Sequence, residues 1–245
     1  MKTIVIIPSR MASQRFPNKP MAKINGIPMI ERVWRQAVKS NIGDVYVACC
    51  DKKVFEFVSN IGGNAIMTDP NLPSGTDRVY AAFKVLDKYK NLDSIINLQG
   101  DMPLIRSEEI HKVNQIILKG YEIGTLATNL SYSEEKDLNI TKVKIKWKQE
   151  KNIGEAIDFY KKPRNLIDQI YHHVGIYSFK LSSLDSFVKL TQSKNEKSYN
   201  LEQWRALDAG IKIGISFLEN VSLSVDTIDD LIKVENIIKK LDDKN

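Results

Sequence analysis

At 245 residues the chain suits one large α/β domain or two small ones, with ample sequence to bury a core. Its 42% hydrophobic and 27% charged residues fit a globular protein, and no run approaches the roughly 18 apolar residues of a membrane span. The 36 basic and 30 acidic residues leave a net charge of +6, but they mix along the whole chain without an aromatic-interleaved basic stripe, which argues against a nucleic-acid binder.

Nothing in the first thirty residues resembles a signal peptide. Cys49 and Cys50 are adjacent, a spacing unsuited to a disulfide or a metal, so they read as strand-end thiols in a reducing cytoplasm. TIVII (3–7) is a short apolar strand, and IPMIERVWRQAVKS (27–40) has helical spacing through Ile30, Val33, Trp34 and Ala37. DVYVACC (44–50) reads as a second strand, DKKVFEFVSNIG (51–62) as a helix with a Gly-Gly stop, and NAIMT (64–68) as a third strand. Thr76 or Asp77 is expected to cap a helix over 77–90, before a fourth strand, SIINL (94–98). Strands alternating with helices imply a mainly parallel sheet with helices on both faces.

From about Tyr121 the rhythm changes. GTLATNL, TKVKIKW, GEAIDFY and YHHVGIYSF read as strands with fewer helices between them, an antiparallel lobe inserted over about 121–200 that could serve dimerisation. NLEQWRALDAG returns to helix, KIGISFL to strand and DDLIKVENIIKKL to a final amphipathic helix. No linker or repeat divides the chain, so one domain over 1–245 is expected.

In parallel α/β sheets ligands bind beyond the carboxyl ends of strands, and four polar clusters fall there. Arg10, Arg15 and Lys19 follow the first strand, and two guanidinium forks with an ammonium suit a polyphosphate; salt-bridged surface cations are the plainer alternative. Ser74, Gly75 and Thr76 in PSGTDR form either an anion-binding helix start or a simple cap. Asp101 in NLQGDMP is either a metal ligand or a turn former, and Asp226 in SLSVDT, ending a strand, is either a metal ligand or an N-cap. If the two aspartates converge, they make an oxygen-ligand magnesium site beside a cationic loop. That assembly describes nucleotidyl transfer, in which a hydroxyl attacks the α-phosphorus and pyrophosphate leaves.

PSRMASQRFPNKP, INGIPMI, SGTDR, NLQGDMP, HHVGIYSF, LEQWRAL and VDT, in this order and at these intervals, resemble the 3-deoxy-manno-octulosonate cytidylyltransferases over nearly the whole chain. The resemblance implies a Rossmann-like nucleotide-diphospho-sugar transferase fold and transfer of CMP from CTP to an eight-carbon 3-deoxy sugar acid for lipopolysaccharide synthesis. It implies that Arg10 and Lys19 hold the CTP phosphates with Arg15 nearby, that Ser74 lies at the nucleotide, and that Arg78 and Gln99 lie near the cytosine and the sugar. Asp101 and Asp226 match the family's Mg2+ ligands, with Lys19 beside them in the catalytic group. His173, Tyr177, Glu202 and Gln203 match residues lining the sugar pocket. The inserted lobe suggests a homodimer, and the cysteine content a cytoplasmic setting.

Three positions depart from the family pattern. Lys161 replaces an arginine able to fork onto the sugar acid, Cys50 precedes Asp51 where an aspartate is usual, and Tyr199 replaces a glutamate. These keep an 8-amino octulosonate open as acceptor. A nine-carbon sialic-type acid is disfavoured by SGTDR and HHVGIYSF, and a non-catalytic nucleotide binder by the intact aspartates.

Overall fold

The computed structural model describes residues 1–12, 16–86, 89, 91–148, 152–162 and 169–242. It is mixed α/β, and the chain packs as two compact units.

The first unit comprises Lys2–Leu92, Asn97–Ile110 and Ser222–Asn245. Its sheet has the order Asn64–Met67, Val45–Cys49, Thr3–Ser9, with both pairings parallel. Every residue of Thr3–Ser9 is buried, as expected of a parallel strand covered on both faces. The helix expected from Ile27 begins at Met29, because Ile27–Pro28 first pairs with Lys23–Ile24. Asn25 and Gly26, at φ 47° and 77°, make the tight turn of that hairpin. Leu98 N donates to Ile6 O at 3.1 Å, which brings the segment Gly100–Asp101 beside the end of the first strand. A Cβ on Gly100 would lie 3.1 Å from Pro8 O, so the approach depends on a glycine.

The helix Gly75–Lys84 is capped by Ser74, whose hydroxyl accepts from Asp77 N at 3.1 Å, and not by Thr76 or Asp77. The last helix, Ile228–Asp242, follows a segment that forms no ladder, which corrects the strand expected before Asp226. That segment's hydrogen bonds go to other segments instead: Val225 N donates to Asp101 O at 2.8 Å and Ser222 N to Glu109 Oε1 at 2.8 Å. Packing anchors it as well: Val225, Val234 and Ile238 cluster with Ile24 and Met29.

The second unit comprises Asp93–Ile96 and His111–Val221, and the lobe expected over 121–200 falls within it. Its strand order is Ser94–Asn97, Ile170–Lys180, Ile123–Asn129, Ile213–Phe217, Ile153–Tyr160, Lys142–Trp147. The pairing of Ile213–Phe217 with Ile123–Asn129 is parallel, whereas both hairpin-like pairings of Ile153–Tyr160 are antiparallel. The helices Ser107–Leu118, Leu181–Lys189 and Lys194–Tyr199 were not expected. The first has a legible apolar spacing in Ile110, Val113 and Ile116, all buried.

Gly124 and Gly214 lie opposite each other across the ladder and together seat Ile116 and Tyr121. A Cβ at Gly214 would fall 2.4 Å from Ile116 Cγ2 and 2.5 Å from the Tyr121 ring, whereas one at Gly175 meets nothing within 4 Å. Gly214→Ala should therefore destabilise by about 1–3 kcal/mol, and Gly175→Ala by less than about 0.5 kcal/mol. Urea unfolding of the two variants checks the contrast; equal midpoints would refute the seat.

Candidate functional site

The carboxyl ends of the first unit's strands open into a cavity of about 260 Å³. Arg10, Lys19, Ser74, Arg78, Gln99, Asp101 and Asp226 line it, so seven expected site residues from five segments meet at one place. Pro8 and Ser9 from the first strand, Gly75 from the helix start and Gly100 complete much of the wall. Arg15 lies outside the described residues.

At one end of the cavity Lys19 binds both aspartates. Its Nζ donates to Asp101 Oδ2 at 2.7 Å, to Asp226 Oδ1 at 3.3 Å and to Val225 O at 2.9 Å. Burial pulls the ammonium down, but the charges of Asp101 and then Asp226 outweigh it and hold Lys19 above its ordinary range. Lys19 is therefore a fixed cation at neutral pH. Asp226 is not the helix cap; Thr227 Oγ1 accepts from Asp230 N at 3.3 Å, and Asp230 Oδ2 accepts in return from Thr227 N at 3.0 Å. The Asp226 carboxylate is thereby left to face Lys19. Two carboxylates sharing one cation are hard oxygen donors of the kind magnesium takes together with substrate phosphates and water.

Arg10 is exposed at the cavity, while Arg78 is 2% exposed. Arg78 Nη1 donates to Thr68 Oγ1 and to Asp69 O, so this guanidinium braces the wall as well as lining it. Gln99 Nε2 donates to Asn97 Oδ1 at 2.8 Å, which leaves its Oε1 near Gly75. The Asp51 carboxylate reaches the first loop despite the Cys50 departure: its Oδ2 accepts from Met11 N at 2.9 Å and from Cys50 Sγ. Burial pushes the Cys49 thiol up to about 11, which leaves it unreactive.

Lys161, His173, Tyr177, Glu202 and Gln203 lie in the second unit. Tyr177, Glu202 and Gln203 line a small cavity with Phe179, Phe187, Ala206 and Ile213. Gln203 Nε2 donates to the Tyr177 hydroxyl, and Gln203 Oε1 is buried without a partner among the described residues. Burial, and next the Glu202 charge, push the Tyr177 phenol far above its ordinary range. Gln203 is positioned by a pair that the sequence reading missed: Arg205 Nε and Nη2 meet Glu196 Oε2 and Oε1 at 2.9 and 2.6 Å, both side chains buried. The signal for it was the capping box Ser193–Glu196. Lys161 and His173 do not line this cavity. Lys161 O accepts from the buried Lys142 ammonium at 2.9 Å, and Tyr199, the third departure, stacks on Trp204 at 5.4 Å.

His173 is 6% exposed, edge-on to Phe159 at 5.1 Å and tilted against Tyr177 at 5.6 Å. Burial, with the His172 charge second, pulls it from 6.5 to about 3, so it is neutral at physiological pH. The unfolded chain takes up a proton below about pH 6.5 that the folded chain refuses until about pH 3, so stability declines as pH falls through that window. Between pH 6.5 and 5 this group should cost about 1.5 to 2 kcal/mol, and His173→Gln should flatten the decline in urea melts. An unaltered slope in the variant would count against a buried neutral imidazole.

A profile described as Cytidylyltransferase matches residues 4–213. The 3-deoxy-manno-octulosonate cytidylyltransferase of Paramagnetospirillum magneticum is 39% identical over 240 residues, covering 96% of this chain and 97% of that one. The enzyme of the same name from Rickettsia prowazekii is 37% identical, covering 97% and 95%. A solved CMP:2-keto-3-deoxy-manno-octonic acid synthetase complexed with CTP superposes with a TM-score of 0.87 at 32% identity, over 98% of this chain and 99% of that one. Fold and near-full-length identity agree, and the chain belongs to the 3-deoxy-manno-octulosonate cytidylyltransferase family.

Proposed function

We propose that this protein transfers CMP from CTP to 3-deoxy-D-manno-octulosonate, forming the CMP-sugar and pyrophosphate. The observation that carries this reading is the bridge of Lys19 to Asp101 and Asp226 at the edge of a cation-lined cavity. Its family relatives carry the same activity in their names, and one was solved with CTP.

In this reading Arg10 forks onto the triphosphate and Lys19 swings from the carboxylates to the phosphates as a point charge. Ser74 and Gly75 offer the start of a helix to the nucleotide. Asp101 and Asp226 would hold Mg2+, which supplies charge neutralisation on the triphosphate when bound. The sugar hydroxyl then attacks the α-phosphorus and pyrophosphate departs. No covalent nucleophile is required. Tyr177, Glu202 and Gln203 supply phenol, carboxylate and amide groups for a polyhydroxylated acid. The resemblance adds a product destined for lipopolysaccharide, and the inserted lobe and cysteine content add a homodimer in the cytoplasm.

The test is pyrophosphate release with Mg2+ and CTP against 3-deoxy-manno-octulosonate, its 8-amino analogue and N-acetylneuraminate, with ATP, GTP and UTP as controls. Strong CTP-dependent release with the octulosonate is expected. A preference for the 8-amino sugar would move the acceptor, with Lys161→Arg as the variant that reads it. Silence with every sugar would defeat the reading. Asp101→Asn keeps the shape but removes a charge, and should lower kcat by at least about 100-fold with an unchanged circular dichroism spectrum. Full activity in that variant would sink the role given to Asp101.

A further inference from the structure

The strand Ile170–Lys180 does not pair evenly with Ile123–Asn129. Val174 stands opposite Leu126 and Tyr177 opposite Thr125, so Gly175 and Ile176 form a bulge with no residues facing them. The bulge turns two carbonyl oxygens onto one side chain. Thr125 Oγ1 lies 3.0 Å from Val174 O and 2.8 Å from Ile176 O. The same oxygen lies 2.9 Å from His173 Nε2. Thr125 is fully buried, so water does not share the arrangement.

A hydroxyl has one proton to donate, and a carbonyl oxygen can only accept. If Thr125 gave its proton to His173, its bare oxygen would face two bare carbonyl oxygens at 2.8 and 3.0 Å with nothing between them. The proton therefore goes to the bulge carbonyls, and Nε2 must be the donor to Oγ1. Nδ1 is left without a hydrogen. The ring cannot easily turn over to exchange the two nitrogens, because Phe159 and Tyr177 hold it.

We propose that Thr125 is a positioning residue that locks His173 in the Nε2–H tautomer and so fixes its ring against Tyr177, which lines the second unit's cavity. This rests on the reading of Tyr177 as a sugar-pocket residue. The bulge is then a functional device: it supplies the two acceptors that orient the Thr125 proton.

The tautomer can be read without substrate. In protein with 15N-labelled histidine, long-range proton–nitrogen spectra distinguish the two tautomers of the three histidines, and His173→Gln assigns the signal. The wild type should show Nε2–H at His173. Thr125→Ser should keep it, and Thr125→Val should lose the single form. In kinetics, Thr125→Val should raise KM for the octulosonate about tenfold with KM for CTP unchanged, and Thr125→Ser should restore it. An Nδ1–H signal in the wild type, or the same tautomer in Thr125→Val, overturns the proposal. A changed tautomer with an unchanged sugar KM overturns its link to the substrate. Failure of the activity itself would show instead as no turnover in the wild type, with the spectra unaffected.

Discussion

One ammonium organises the first unit's site. Lys19 opens the 3-10 helix Lys19–Met21, Asp101 comes from the turn after Leu98, and Asp226 from the approach to the last helix. Without the cation, two carboxylates would be brought together at partly buried positions, 24% and 31% exposed, and would repel. With it they sit within hydrogen-bond reach of one atom. The Val225 carbonyl on the same ammonium and the Asp101 carbonyl on Val225 N tie the three segments together. In the function proposed above, a polyphosphate would take the ammonium while a metal took the carboxylates, so each charge would pass to a ligand of opposite sign.

The supporting residues follow the same economy. Ser74 caps a helix and stands in the cavity wall, Arg78 braces Thr68 and Asp69 while facing the cavity, and Asp51 holds the start of the first loop at Met11. Each spends part of its hydrogen bonding on structure, so the groups facing the cavity cost little further ordering when a ligand arrives. In the second unit the Glu196–Arg205 pair plays a comparable part. Both partners are almost fully buried, and the guanidinium also covers Phe187 at 4.8 Å, which fixes the short helix bearing Gln203. Removing one partner would leave an uncompensated buried charge.

Much of this was legible from residue order. The alternation of TIVII, DVYVACC and NAIMT with amphipathic helices predicts parallel strands, since strands joined through helices run the same way and the first two carry the apolar runs of strands covered on both faces. Strand ends in such a sheet are where ligands bind, so Arg10, Lys19, Ser74 and Asp101 could be nominated together, whereas Arg78 and Gln99 entered through the family resemblance. Less was legible where competing local signals existed. Ser74, Thr76 and Asp77 can each cap a helix, and only the backbone geometry selects Ser74. The segment before Asp226 looks like a strand by its Leu223–Val225 alternation, yet it lacks a ladder partner.

The sequence by itself determined the fold class, the family and most of the polar groups that reach the cavity, because these depend on local periodicity and on residue types at fixed spacings. Tertiary structure alone decided how those groups divide their hydrogen bonds. That Lys19 bridges two aspartates 125 positions apart, that Arg205 is spent on Glu196, and that a bulge turns two carbonyls onto Thr125 and so dictates the proton on His173 are all consequences of long-range contact. No local pattern encodes them, since a donor's choice of acceptor depends on which oxygens the folded backbone leaves within 3 Å.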